Sequence, residues 1–279
     1  MALVIVFFFS NVSTIPGSRY FIQLGASEVR GEGIDSYTKL LMHFDGINGS
    51  SQFVDSCGNQ VSTIGGAQIS TSQYKFGGSS GYLNSSSYLS IKDSQNLDIS
   101  TGNFTIDYWI YPTSNSYGCI MQTYLDQDGS KRAPIFGYMD NGRMLLFLTS
   151  NGLNWDIADG VSMGSVENNM WIHYAVARNG NNFYTFKNGI LQSAFINSSA
   201  LSHNTGDMIV GKYLNYPCRS YDYFYGYIDE LRISKGIARW TSNFTPPSSP
   251  YNLEPNTNVT APSQNGTLFQ NLQMGKRSV

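Results

Sequence analysis

Charge is scarce in this chain. Acidic and basic residues make up 13% of its 279 residues, about half the usual share for a soluble domain. The formal net charge is −2 and no basic stripe runs along the sequence, so there is no electrostatic footprint for nucleic acid. Cysteine is sparse as well: Cys57, Cys119 and Cys218 are odd in number and widely spaced. That argues against a disulfide framework and, with no CxxC or Cys/His cluster, against zinc; three free thiols are expected. Apolar runs are short. The longest, Ala2 to Phe9, is far below the about 20 residues a membrane-spanning helix needs, and it lacks the basic flank of a signal peptide. No segment carries a convincing helical period, and no P-loop, dinucleotide fingerprint or Gly-x-Ser-x-Gly elbow occurs.

Gly, Ser, Asn, Thr and Tyr take the place of charge, a composition suited to turns and to strands with polar, uncharged outer faces. The clearest local signal is Trp171 to Gln192. Trp171, His173, Ala175 and Ala177 alternate with Ile172, Tyr174, Val176 and Arg178, the period of a strand. Asn179-Gly180-Asn181-Asn182 and Asn188-Gly189 then supply residues that tolerate positive φ in tight hairpin turns. Three strands in an antiparallel meander are expected there. Further strands are expected at 37–44, 82–83, 88–91, 104–111, 118–124, 134–139, 144–149, 208–211 and 224–233. Only an all-β domain accommodates that density.

Three zones follow. Residues 1–36 form an apolar arm and a Gly-rich linker, 37–251 the strand-rich domain, and 252–279 an extended tail rich in Asn, Pro, Gln and Ser. The run Leu3, Val4, Ile5, Val6, Phe7, Phe8 and Phe9 reads as a strand around the Pro16-Gly17 turn from Tyr20–Leu24. An unpaired strand this apolar is costly in water, so it is expected to insert into another chain as an assembly arm.

Four segments, in order, carry a family likeness: Thr38 to Gly46 (TKLLMHFDG), Ser70 to Leu83 (STSQYKFGGSSGYL), Gly102 to Pro112 (GNFTIDYWIYP) and Gly226 to Trp240 (GYIDELRISKGIARW), the last followed by Asn243-Phe-Thr-Pro-Pro247. Together they resemble the concanavalin A-like, laminin-G-like jelly rolls of the lectin/glucanase superfamily, especially those of bacteriophage and other viral structural proteins. The resemblance implies a two-sheet antiparallel sandwich. It also implies a virion protein for surface decoration, fibre or tail, with glycan or host-surface adhesion; the alternative is a secreted or cell-surface carbohydrate-binding module. Partners would be other virion proteins or copies of itself, joined through the terminal arms. Family members often hold a structural calcium with acidic residues near the first and last strands, positions taken here by Asp45 and Asp229. The other reading of these two is that Asp45 caps the turn before Gly46 and that Asp229 pairs with Arg232 or solvent.

Catalysis is not expected. Glycoside hydrolysis needs two carboxyls about 5–9 Å apart across a groove, whereas Asp229 and Glu230 are neighbours on a strand and diverge, and Asp107 stands alone in its strand. Asp126 and Asp128 share spacing but lie in a loop. His43 and His173 are expected to be hydrogen-bonded strand residues rather than bases. The candidate binding site is aromatic: Tyr213, Tyr216, Tyr221 and Tyr223, in a loop with Asn215, Arg219 and Asp222, joined by Trp155 between Asn154 and Asp156. Rings stack on the apolar C–H faces of sugars while amides and carboxylates take the hydroxyls. The same loop could instead pack on its own domain or on a neighbouring subunit.

Overall fold

The computed structural model describes residues 34–114, 117–123, 131–203, 206–213 and 223–251. Among them there is no helix, and sixteen strands form two sheets. In chain order these are β1 (Thr38–Met42), β2 (Val61–Ile64), β3 (Gln68–Ser70), β4 (Ser80–Leu83), β5 (Tyr88–Ile91), β6 (Phe104–Pro112), β7 (Tyr117–Cys119) and β8 (Met121–Gln122). They continue as β9 (Ile135–Asp140), β10 (Arg143–Leu148), β11 (Ala158–Ser165), β12 (Ile172–Asn179), β13 (Asn182–Lys187), β14 (Ile190–Ile196), β15 (Met208–Val210) and β16 (Gly226–Lys235). The first sheet runs β14-β13-β12-β6-β16-β4-β3, with β1 also on β16; the second runs β11-β10-β9-β8-β15-β5-β2, with β7 also on β9. Every pairing of these strands is antiparallel. This is the two-sheet sandwich of a concanavalin A-like jelly roll, as expected.

Alternation builds the core. Phe104, Ile106, Tyr108 and Ile110 of β6 face the second sheet and are fully buried. The Phe104 ring meets Phe136 of β9 edge-on at 5.8 Å and Phe183 of β13 at 6.3 Å. The meander β12-β13-β14 forms where the two Asn-Gly turns place it, with Asn188 at φ 48° and Gly189 at φ 76°.

The other face of β6 is also covered, which the strand pattern does not foretell. Thr105, Asp107 and Trp109 point away from the core yet are buried. The chain after β16 folds back over them: Ala238 packs with Ala175, Ala177 and Phe186, and Trp240 stacks on Phe244 at 3.9 Å, both rings set edge-on to His173. We call this covering segment, residues 237–251, the strap.

Three strands escape the sequence pattern. β2 and β3 are four and three residues long, too short to show a period. β11 contains Gly160 and Gly164, and its pairing with β10 slips at two places, which breaks the alternation.

Candidate functional site: the outer face of the second sheet

On β9 and β10 the buried residues Met139, Met144, Leu146 and Leu148 alternate with Tyr138, Leu145 and Phe147, which are partly exposed on the outer face. Tyr138 meets Phe147 edge-on at 6.0 Å, and Phe147 meets Trp155 at 5.4 Å. The Arg132 guanidinium lies 5.1 Å from the Trp155 ring centre, a cation–π arrangement.

The loop that presents Trp155 is closed by its own short polar side chains. Asn151 Oδ1 accepts the N–H groups of Leu153 and Asn154 at 2.7 and 3.1 Å, and Thr149 Oγ1 that of Gly152 at 2.9 Å. Asp156 Oδ1 accepts the Ser150 N–H at 2.8 Å, and the Arg132 N–H donates to Gly152 O at 2.7 Å. Asn, Asp and Thr favour such side-chain-to-backbone turns, so the loop backbone that carries Trp155 is braced from within.

Further along the same sheet, Tyr223 bridges to Cys119 and Lys212. The Lys212 ammonium lies 4.6 Å from the Tyr223 ring centre and 5.2 Å from that of Tyr88. Tyr213 follows directly. The expected aromatic set is therefore divided: Trp155 joins Phe147 and Arg132, while Tyr223 joins Lys212 and Tyr88. Tyr216 and Tyr221 lie outside the described residues, as do the arm residues Leu3 to Phe9. Sequence reasoning flagged Trp155 but missed Tyr138, Phe147 and Arg132, which only strand register brings to it.

The two acidic residues expected near a metal converge on one segment. Asp229 Oδ2 accepts the N–H groups of Lys75 and Phe76 at 2.8 and 3.1 Å. Asp45 lies against the next residue, where a Cβ on Gly77 would sit 2.0 Å from its Oδ1. Neither simpler role holds. The Gly46 N–H is taken by Ser79 Oγ, and Arg232 pairs with Asp107 rather than Asp229. Burial, reinforced by the negative charges of Glu230 and Asp45, pushes the Asp229 carboxyl up to about 8 against the pull of its two N–H donors. Its Oδ1 is buried without a hydrogen-bond partner. An orphaned carboxylate oxygen beside a second carboxylate fits a hard cation. Among the described residues no group of three or more His, Cys, Asp or Glu side chains accompanies them, so carbonyl and water oxygens would have to complete the set.

Asp107 is the one carboxyl of β6, as expected, and partners from other parts of the chain surround it. Arg232 donates to it from Nε at 3.0 Å and from the guanidinium terminus at 3.3 Å, the Tyr251 hydroxyl donates to it, and His173 Nε2 lies 3.4 Å away. Burial pushes its pKa up, but Arg232 and the hydrogen bonds outweigh that and hold it at about 2. His173 is likewise sealed, and burial lowers its pKa. Glu230, at φ 50° in a bulge of β16, turns away from Asp229 to bond His43 Nδ1 at 2.7 Å and the Tyr251 N–H at 3.0 Å. Each of these carboxylates is enclosed by protein partners.

A family model described as the concanavalin A-like lectin/glucanases superfamily matches residues 83–239. Domain 4 of AbnA, a GH43 extracellular arabinanase from Geobacillus stearothermophilus, solved with arabinotriose, superposes with a TM-score of 0.52 and 18% identity, covering 72% of this chain and 95% of that one. The binding domain of Paraclostridial Mosquitocidal Protein 1 superposes with a TM-score of 0.50 and 18% identity, covering 71% of this chain and 49% of that one. At such identities the likeness is one of fold. No curated protein matches the sequence.

Proposed function

The chain belongs to the concanavalin A-like lectin/glucanases superfamily, and from that premise we propose that it is a non-enzymatic virion protein, a decoration or fibre-tail component that adheres to glycans of a host surface. Fold alone does not fix function. The observation that carries the reading is the partly exposed row Phe147–Trp155 with Arg132 over the indole. A flat ring beside amides and hydroxyls is what a sugar face needs. The enclosure of Asp107, Asp229 and Glu230 supports binding without hydrolysis, since no two of them open together on a groove.

Stacking on so few rings gives weak single-site affinity, and adhesion then depends on many linked copies. The apolar arm supplies the link by inserting into a neighbouring chain. Glycan arrays probed with full-length protein and with protein lacking residues 1–24 test both halves of the proposal. Strong signal is expected from the assembled full-length form and little from the truncated monomer, with Trp155→Ala lowering the signal while assembly persists. Equal signal from both forms contradicts the role of the arm, and unchanged signal from Trp155→Ala contradicts the site.

We further propose that Asp45 and Asp229 hold a structural calcium ion, which would neutralise their mutual repulsion and tie the 75–77 segment to β16. Calcium at a hundred times its Kd is expected to add about 2.7 kcal/mol of stability, read as a higher melting temperature in calcium than in EDTA. Asp229→Asn should remove that difference. Identical melts of the natural protein in calcium and EDTA would rule the ion out.

A further inference from the structure

Beyond the strap, the outer face of the first sheet carries a second row of rings. Tyr82 of β4 pairs in register with Tyr227 of β16, and Tyr227 with Tyr111 of β6. Trp171 immediately precedes β12, whose Ile172 is paired with Ile110, and so falls opposite Tyr111. The rings follow one another at 5.1, 5.9 and 5.7 Å between centres. Four aromatic side chains thus form an unbroken ladder across four strands, roughly 14 Å long at a strand spacing of about 4.8 Å. All four are partly exposed, and Tyr225 and Met170 beside them are 38% and 50% exposed.

The neighbouring rows of the same face differ. Trp109 and His173, then Asp107 and Arg232, lie under the strap and under Phe76 and are buried. The ladder is the row that this cover leaves open. Its polar groups are hydroxyls, and that of Tyr225 is near enough to Tyr82 to help burial raise the Tyr82 pKa to about 12. Two positions along β6 from Tyr111, on the same face, the buried Trp109 Nε1 has no hydrogen-bond partner. No charged side chain belongs to the row.

We propose that the ladder Tyr82–Tyr227–Tyr111–Trp171 is a second binding site, for a neutral, linear oligosaccharide lying across the strands. The rings are inclined to one another by 45°, 81° and 59°, so the row presents a mixture of apolar faces and edges, and its length suits an extended chain better than a single sugar. The tyrosine hydroxyls supply hydrogen bonds at its margin. The row itself carries no charge, although the Lys75 ammonium lies 4.0 Å from the neighbouring Trp109 ring centre, and this favours a neutral chain as the preferred ligand. This face belongs to the first sheet, whereas the Trp155 face belongs to the second, so the two sites stand or fall separately.

The test is a titration of the full-length protein with soluble neutral oligosaccharides, from monosaccharide to hexamer, built on glucose, xylose or arabinose. Binding is followed by tryptophan fluorescence and isothermal calorimetry. Affinity is expected to climb with chain length and level off near the tetramer. Trp171→Ala, at the margin of the sheet, and Tyr111→Ala should each weaken binding roughly tenfold or more, about 1.4 kcal/mol. Trp171→Phe and Tyr111→Phe keep a ring and should retain most of it, which also controls for folding. Trp155→Ala, which removes the second-sheet site, should leave the rise of affinity with chain length in place. No saturable binding by any member of the series overturns the proposal. So does binding lost only in Trp155→Ala, which would leave the second-sheet reading intact, and so does a ladder variant that alters self-association but not sugar binding.

Discussion

Replacing Arg232 by Ala is expected to lower the unfolding free energy by about 3–5 kcal/mol, the usual result of removing one partner from a buried ion pair. Arg232 is 1% exposed and Asp107 fully buried; the variant strands a carboxylate among His173, Tyr251 and the strap. It also removes the cation lying 3.7 Å from the Tyr251 ring centre. The pH dependence should change with it. Because Asp107 is held at about 2, below its ordinary 3.8, its contribution is present above pH 4 and is lost as pH falls through 2. Without Arg232, burial raises this carboxyl instead, and stability should decline as pH rises above 4. Urea unfolding of both proteins at several pH values checks this. Pairing Arg232→Met with Asp107→Leu should recover much of the loss, since an apolar pair leaves no charge buried. A loss under about 1 kcal/mol in the single variant would mean that the network contributes little to stability.

Gly189→Ala should cost about 3 kcal/mol, a backbone effect at a position that looks like an ordinary hairpin turn. An L-residue in the left-handed region costs about 1–2 kcal/mol, and Gly189 sits at φ 76°. The remainder comes from the strap, because a Cβ here would lie 1.9 Å from the carbonyl oxygen of Phe244. That carbonyl belongs to a residue whose N–H donates to Gly189 O at 2.9 Å, while Asn243 Oδ1 accepts the Leu191 N–H at 2.8 Å. The strap is seated on this turn, and a methyl group must lift it. Gly180→Ala provides the contrast: φ is 60° and nothing lies within 4 Å of its Cβ, so only the conformational cost applies. Thermal melts, with near-ultraviolet circular dichroism of the Trp240–Phe244 stack, should separate the two variants. Equal losses would remove the clash from the account.

Both predictions rest on what the sequence showed incompletely. Strands such as β5 and β12 were legible because their apolar residues alternate and their ends carry turn residues. The Asn188-Gly189 turn was legible for the same reason, but its service as the strap's seat was not, because that contact joins distant parts of the chain. Asp107 and Arg232 alternate with core residues, so a period of two assigns them to solvent; what buries them is the strap, which has no period of its own. The candidate sites divide likewise. Trp155 stands out between Asn154 and Asp156, whereas Tyr138 and Phe147 become its neighbours only through the pairing of β9 with β10. Tyr82, Tyr111, Trp171 and Tyr227 look like unrelated strand aromatics until the order β12-β6-β16-β4 sets them side by side.

That order has a consequence for how the molecule is made. β16 lies inside the first sheet, bonded to β6 along one edge and to β4 and β1 along the other, yet it is the last described strand to leave the ribosome. At about 5–20 residues per second, on the order of ten seconds separate the emergence of β6 from that of β16. Throughout that interval β6, a nine-residue strand buried on both faces in the finished protein, has no native partner for one of its edges. The strap cannot close before β16 is in place, so Asp107 waits in water, ionised, while the sheet around it assembles. Any nascent-chain binder that shields this edge would raise the yield of folded protein, and the benefit should be largest when elongation is slow.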